Sequence, residues 1–217
     1  LIVALLRLGK KYDCPVFRKD CIRRVKMEFP TTSLAEYDKI SGSWDFIQGT
    51  DDTSLHLLSL AREIGLHSIL PLLYNAILVN HLPTLLDSKD ARLSSLDRSV
   101  CLLGYLNLLK LQSTTTLDWL NVDVENPHIP STTCSHPDKC VAVVKKIVFT
   151  LSKKQPQRLF ILSRVFFRQK QWEDLLCASC YDKADKIKDV GRAICWEQLP
   201  AAFGLPDWEE LKSLDFE

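Results

Sequence analysis

The sequence predicts a mostly α fold, an irregular multi-helix assembly of antiparallel helical pairs with little or no sheet. Apolar residues recur at helical spacing, as at Leu57, Leu60, Ala61 and Ile64, which gathers them on one face of a helix. Breakers such as Pro30 and Gly65 punctuate these segments, and short gaps between helices favour antiparallel neighbours. No succession of alternating strands points to a central parallel sheet.

The first helix is expected over Ile2 to Leu8, with Lys10 and Lys11 near its negative end. Asp13 is placed to cap a second helix, which begins near Pro15 and carries the stripe Val16, Phe17, Cys21, Ile22 and Val25. These two form a tight hairpin that Pro30 ends. From Thr31 to Thr50, Ser, Gly and Asp mix with Leu34, Tyr37, Trp44 and Phe46. The segment reads as a long connection packed by its aromatics, or a short helix followed by irregular chain. Thr53 to Ile64 is a helix closed by Gly65, and His67 to Val79 follows with Pro71 near its start.

Leu96 to Leu111 is the strongest core candidate, capped by its SerSerLeuAsp start; Gly104 within it implies close approach of another helix. Asn121 to Asp138, with Pro127, Pro130 and Pro137, reads as a surface excursion. Helices are then expected over Val141 to Leu151, Gln157 to Phe167, Trp172 to Lys186 and Asp189 to Leu199. Asp207 is placed to cap a last helix containing Trp208 and Leu211.

A chain of 217 residues, 46% hydrophobic and 25% charged, can build one extended domain or two small ones. Its 28 Lys+Arg balance 27 Asp+Glu, which excludes a strong global field for gathering nucleic acid. Leu1 to Leu6 is too short an apolar run to span a membrane and lacks the order of a secretion signal. The chain opens without Met, as an excised or truncated product would. A soluble protein of the cytoplasm or nucleus, with no membrane association, is the expectation. Leu1, Ile2 and Leu5 would then face a partner missing from this chain. Trp208 and Leu211 either finish the fold as a docking tail or anchor a partner.

Eight cysteines in a chain without a secretion signal argue against a disulfide framework. Cys14, Cys21, Cys101 and Cys195 occupy apolar helical contexts and read as small core residues. CSHPDKC and CASC differ. Cys134 and Cys140 lie in a Pro-bearing loop, and Cys177 and Cys180 have the short spacing with which two thiolates grip one ion. Four thiolates suit a structural zinc. Against this, the first spacing is wider than the usual knuckle, His128 or His136 is available to replace one sulfur, and Cys177 with Cys180 also fits successive core positions on a helix.

A search for chemistry finds no phosphate-binding glycine spacing, no HExxH and no GxSxG elbow, so an enzyme is not expected. Arg18, Lys19, Arg23 and Arg24 gather charge, but Asp20 and Glu28 share the segment and no base-reading motif follows. A solvated helix face is the expectation there.

The ordered set ALLRLGKKYDCPVFRKDCIRRV, LHLLSLAREIGLHSILPLLYNAI, LSSLDRSVCLLGYLNLL, LCASC and RAICWEQLPAAFGLPDWEELK resembles the C-terminal part of fungal, mushroom-type BTB/POZ domain-containing proteins. The resemblance implies that 1–28 are the terminal helices of a truncated BTB-like domain. It implies a BACK-like helical extension in two parts, 29–126 and 127–217, the second with the cysteine pairs and the docking tail. It further implies an interaction or scaffold role, possible work as a substrate adaptor of a cullin-type ubiquitin ligase, an unidentified client, and oligomerisation through the missing N-terminal BTB portion. The alternative is a zinc-stabilised transcription or nucleic-acid-associated module.

Overall fold

The computed structural model describes residues 2–40, 44–47, 49–50, 52–87, 91–154, 159, 161–163 and 175–215. Among them the chain is mostly helical, irregular in arrangement and free of strands, as the patterning predicted. The chain divides into two compact units, 1–105 with 197–217 and 106–196. The expected boundaries after residues 28 and 126 fall within the first and the second unit, respectively.

In the first unit, α1 (Ile2–Lys11) and α2 (Pro15–Glu28) pack as the predicted hairpin. Their turn differs from the expectation in one respect. Asp13 takes a left-handed backbone, with φ of 47°, so Cys14 precedes the helix and Pro15 opens it. Pro needs no amide partner in that first turn. The segment after Pro30 contains only one short described helix, α3 (Leu34–Tyr37), capped by Ser33. Phe29 and Trp44 then meet edge to face, with centroids 6.0 Å apart.

Helix α4 (Thr53–Ile64) ends at Gly65, whose φ of 73° is the left-handed turn that glycine adopts without strain. It packs on α5 (Leu70–Asn80), which α6 (Leu82–Leu86) follows. Leu55, Leu57, Leu58, Leu60, Leu73, Tyr74 and Ile77 are buried. Helix α7 (Ser95–Ser113) starts where Asp97 accepts a hydrogen bond from the Ser94 hydroxyl at 2.7 Å, one from Tyr74 at 2.8 Å, and the Arg62 ion pair at 2.6 Å. The guanidinium of Arg62 also donates to the Tyr74 hydroxyl. Burial in this network raises the Tyr74 phenol well above its ordinary range.

A close approach occurs at Gly104, where an added Cβ would overlap the Phe203 ring, but Phe203 lies in a turn and not in the helix expected there. The C-terminal segment finishes this unit. Asp207 caps α10 (Trp208–Ser213), and Trp208 and Leu211 are buried. Asp215 then accepts from the Ser68 amide and hydroxyl at 2.8 and 2.6 Å and pairs with Lys26 at 2.8 Å.

The second unit contains the end of α7, a 3-10 turn at Asp118–Leu120, α8 (Pro137–Lys154) and most of α9 (Ala178–Ala202). The helices expected over Trp172 to Lys186 and Asp189 to Leu199 form one continuous helix from Ala178, because no breaker lies between them, whereas Leu175, Leu176 and Cys177, expected in the first of them, precede it. Gly191 does not interrupt it. An added Cβ there would stand 2.5 Å from the Thr116 amide nitrogen, so the missing side chain permits a backbone contact. The helix expected over Gln157 to Phe167 lies largely outside the described residues, as does the start of the one from Trp172. Trp119, Ile129, Val143, Val144, Ile147, Leu176 and Ala184 make this unit's core.

Two expectations are corrected here. The BTB/POZ assignment requires a fold of mixed helix and sheet, and the described residues form an all-helical, sheet-free one. Several residues assigned to partner contact are also covered by the chain itself: Ile2, Trp208 and Leu211 are buried and Leu5 is half-buried. Leu1 lies outside the described residues. No helix among the described residues is long and apolar enough to cross a membrane.

Candidate metal centre

The two cysteine pairs occupy equivalent places on two helices. Cys134 ends the excursion in a turn where its amide donates to the Ser131 carbonyl at 3.0 Å, and Cys140 sits in the first turn of α8. Cys177 directly precedes α9, and Cys180 lies in its first turn. Each helix thus carries one sulfur in its first turn and has the other ahead of it in the chain.

These placements bring all four sulfurs within 4.8 Å of one another. A tetrahedral ion with bonds of about 2.3 Å to sulfur sets its ligands roughly 3.8 Å apart. The Cys134 and Cys177 sulfurs are 3.5 Å apart, and none of the four is in a disulfide. Cys134, Cys140, Cys177 and Cys180 thus form a structural metal site with the donor set of zinc. The wide CSHPDKC spacing is accommodated because its first cysteine lies in the loop and its second in the helix.

The sulfurs are framed by amides. The Ser131 amide donates to the Cys180 sulfur at 3.3 Å and the Cys177 amide to the Cys140 sulfur at 3.5 Å. The Cys180 amide holds the Cys177 thiol down to about 6 against the opposing effect of burial, and the Ser135 amide helps it. Burial pushes the Cys134 thiol up to about 12, although the His136 amide works the other way, and burial also raises Cys140. Without a cation the four sulfurs do not all ionise together, because like charges at this separation oppose one another. A divalent ion supplies the charge that lets them.

A second layer surrounds the sulfurs. Ser179, between Cys177 and Cys180, shares hydrogen bonds with Ser131 at 2.6 Å and Thr133 at 2.5 Å, which tie the excursion to the start of α9. Sequence reasoning named the four sulfurs but not these hydroxyls or amides. Their signal was the SerThrThr run before Cys134. The two histidines considered as substitutes have other partners: His128 meets Asp118 at 2.7 Å and His136 meets the Ser135 hydroxyl at 2.9 Å.

Cys140 and Cys180 are fully buried and belong to the core of the second unit, so the site faces water through Cys134 and Cys177 only. Four protein ligands leave no coordination position for a substrate, which is the structural rather than the catalytic arrangement. Its effect is to fasten the excursion and the N-termini of α8 and α9 at one point.

No protein-family model, curated protein or solved structure matches the chain. The all-helical, sheet-free fold of the described residues overturns the BTB/POZ resemblance, and with it the ubiquitin-ligase adaptor role that the resemblance implied.

Proposed function

We propose that the chain is a protein-interaction module, with its second unit held together by structural zinc and its first unit offering the contact surface. The observation that carries the reading is the turn between α1 and α2, where Tyr12, Val16 and Phe17 are 64%, 79% and 63% exposed. Neighbouring large apolar side chains left in water do nothing for this fold, and such patches mark sites of association. Beside them runs a groove of about 570 Å³ on α2, with Pro15, Ile22 and Met27 among cationic side chains that include Arg18 and Lys19. Apolar surface set among cations suits a protein partner that carries both apolar and acidic groups.

Nucleic-acid association draws less support from the same helix. Arg23 and Arg24 both pair with Asp20, at 2.6 and 2.9 Å, and Lys26 pairs with Asp215, so these cations are partly committed within the chain.

The test combines Val16→Ser with Phe17→Ser in one protein. Both side chains are exposed, so the thermal midpoint and metal content should not change. Partners recovered from native extract by crosslinking and quantified against the parent should be lost. Equal recovery by the two proteins would refute the reading, as would binding of the parent to duplex DNA or to anionic vesicles in place of a protein.

A further inference from the structure

The four sulfurs are unequal in their access to solvent. Cys140 and Cys180 are fully buried in the apolar core of the second unit, whereas Cys134 and Cys177 are each partly exposed. The exposed two are also neighbours, with sulfurs 3.5 Å apart. Both lie outside the helix bodies, Cys134 in a turn and Cys177 ahead of α9, so a small change in either does not require a helix to move. Joining them asks only for the sulfurs to close to about 2.05 Å.

From this we propose that Cys134 and Cys177 are an oxidation site, at which a hydroperoxide converts the outer pair to a disulfide and thereby opens the metal centre. The inference rests on the reading of the four sulfurs as a zinc site. In the first step one outer thiolate attacks a peroxide oxygen: an S–O bond forms, the O–O bond breaks, and the departing hydroxide takes a proton to become water. In the second, the other outer thiolate attacks that sulfur. The S–S bond forms, the S–O bond breaks, and a second water leaves. Two thiolates, one hydrogen peroxide and two protons become one disulfide and two waters. The sulfurs lose two electrons and the peroxide gains them.

The consequence is set by what remains. Cys140 and Cys180 are two donors where a closed site needs four, so the ion departs. The Cys177 amide and the Ser131 amide still address the inner sulfurs, which keeps the frame ready for reloading after reduction.

The experiment uses the full chain, purified with reductant and analysed for zinc before any oxidant is added. After removal of reductant, hydrogen peroxide is titrated in while a chelating dye reads released zinc, and unreduced peptides are mapped by mass spectrometry. Partly exposed Cys14, remote in sequence, serves as the internal reference thiol. The expected result is about one zinc released per chain, in step with a Cys134–Cys177 disulfide, and rebinding when dithiothreitol and zinc are supplied. Zinc retained after Cys14 is fully oxidised would overturn the proposal. So would a disulfide containing Cys140 or Cys180 as the main product, or sulfinic acids without a disulfide. Absence of zinc at the outset would instead refute the metal reading, and mapping of the metal-free chain would still decide which pair oxidises first.

Discussion

Chelation should destabilise the second unit selectively. Its 91 residues, 106–196, have a core in which Cys140 and Cys180 stand beside Val143, Val144, Ile147 and Ala184. A domain of this size is stable by about 5–14 kcal/mol at the usual contribution per residue. Zinc at a thousandfold excess over its dissociation constant adds about 4 kcal/mol by mass action alone. For a unit of 60–100 residues, each kcal/mol moves the midpoint by about 4–8 °C. Removing the ion should therefore lower the second unit's midpoint by roughly 15–30 °C. Hydrogen exchange with and without a strong chelator is the assay, because it resolves segments. Protection should fall by up to about a thousandfold over the start of α8, the start of α9 and the excursion, while α4 and α5 of the first unit keep theirs. Unchanged exchange at Cys140 to Val144 would refute the view that the metal centre holds this unit.

Three further outcomes follow from particular contacts. In the metal-free chain Cys177 should be the first of the four thiols to be alkylated as the pH rises from about 5 to about 8. Its folded value of about 6 lies below the ordinary 9.0, so the stability it adds is complete above about 9 and is lost as pH falls through about 6. An alkylation rate at Cys177 that stays flat up to about pH 8 would contradict this. Asp97→Ala removes the common partner of Arg62, Tyr74 and Ser94. Since Arg62 keeps 35% of its side chain in water, the loss should sit at the low end for a broken buried pair, about 3 kcal/mol by urea unfolding. Gly191→Ala would gain about 1 kcal/mol on an open helix. Here its Cβ meets the Thr115–Thr116 backbone, so a net destabilisation of about 1–3 kcal/mol is expected, read as a lower urea midpoint.

What was legible in the sequence was whatever a short stretch could specify by itself. Thr53–Ile64 appeared with the predicted ends because periodicity and a terminal glycine agree there. Asp207 capped the last helix for the same reason. Where the deciding contact is distant, local reading fell short. Gly191 fell inside an expected helix with nothing local to say why a glycine stands there, and the reason is the Thr115–Thr116 backbone packed against it. Trp208 and Leu211 had two readings, and only their burial on the first unit shows which surface they occupy. Family resemblance carried least, because an ordered set of leucine-rich helix patterns is one that many helical chains can share.

The metal centre shows where that division falls. Residue type identified four sulfurs, but spacing argued against the first pair, since CSHPDKC is longer than a knuckle that closes within one turn. The structure resolves the objection by treating both pairs alike: one sulfur ahead of a helix, one in its first turn. In that arrangement the first sulfur's distance along the chain matters less than the helix N-terminus that both sulfurs share. Amides from Ser131 and Cys177 then complete a frame that no residue-type motif encodes, because any non-proline residue can supply an amide. A Ser131→Ala variant loses the hydroxyl contacts to Ser179 and Cys180 but keeps the amide that meets Cys180, so it should hold zinc better than a variant that also loses the amide. Ser131→Pro, which removes that amide, should bind zinc more weakly. Equal zinc affinity in the two variants, measured by competition with a chelator, would show that the amide frame is incidental to the site.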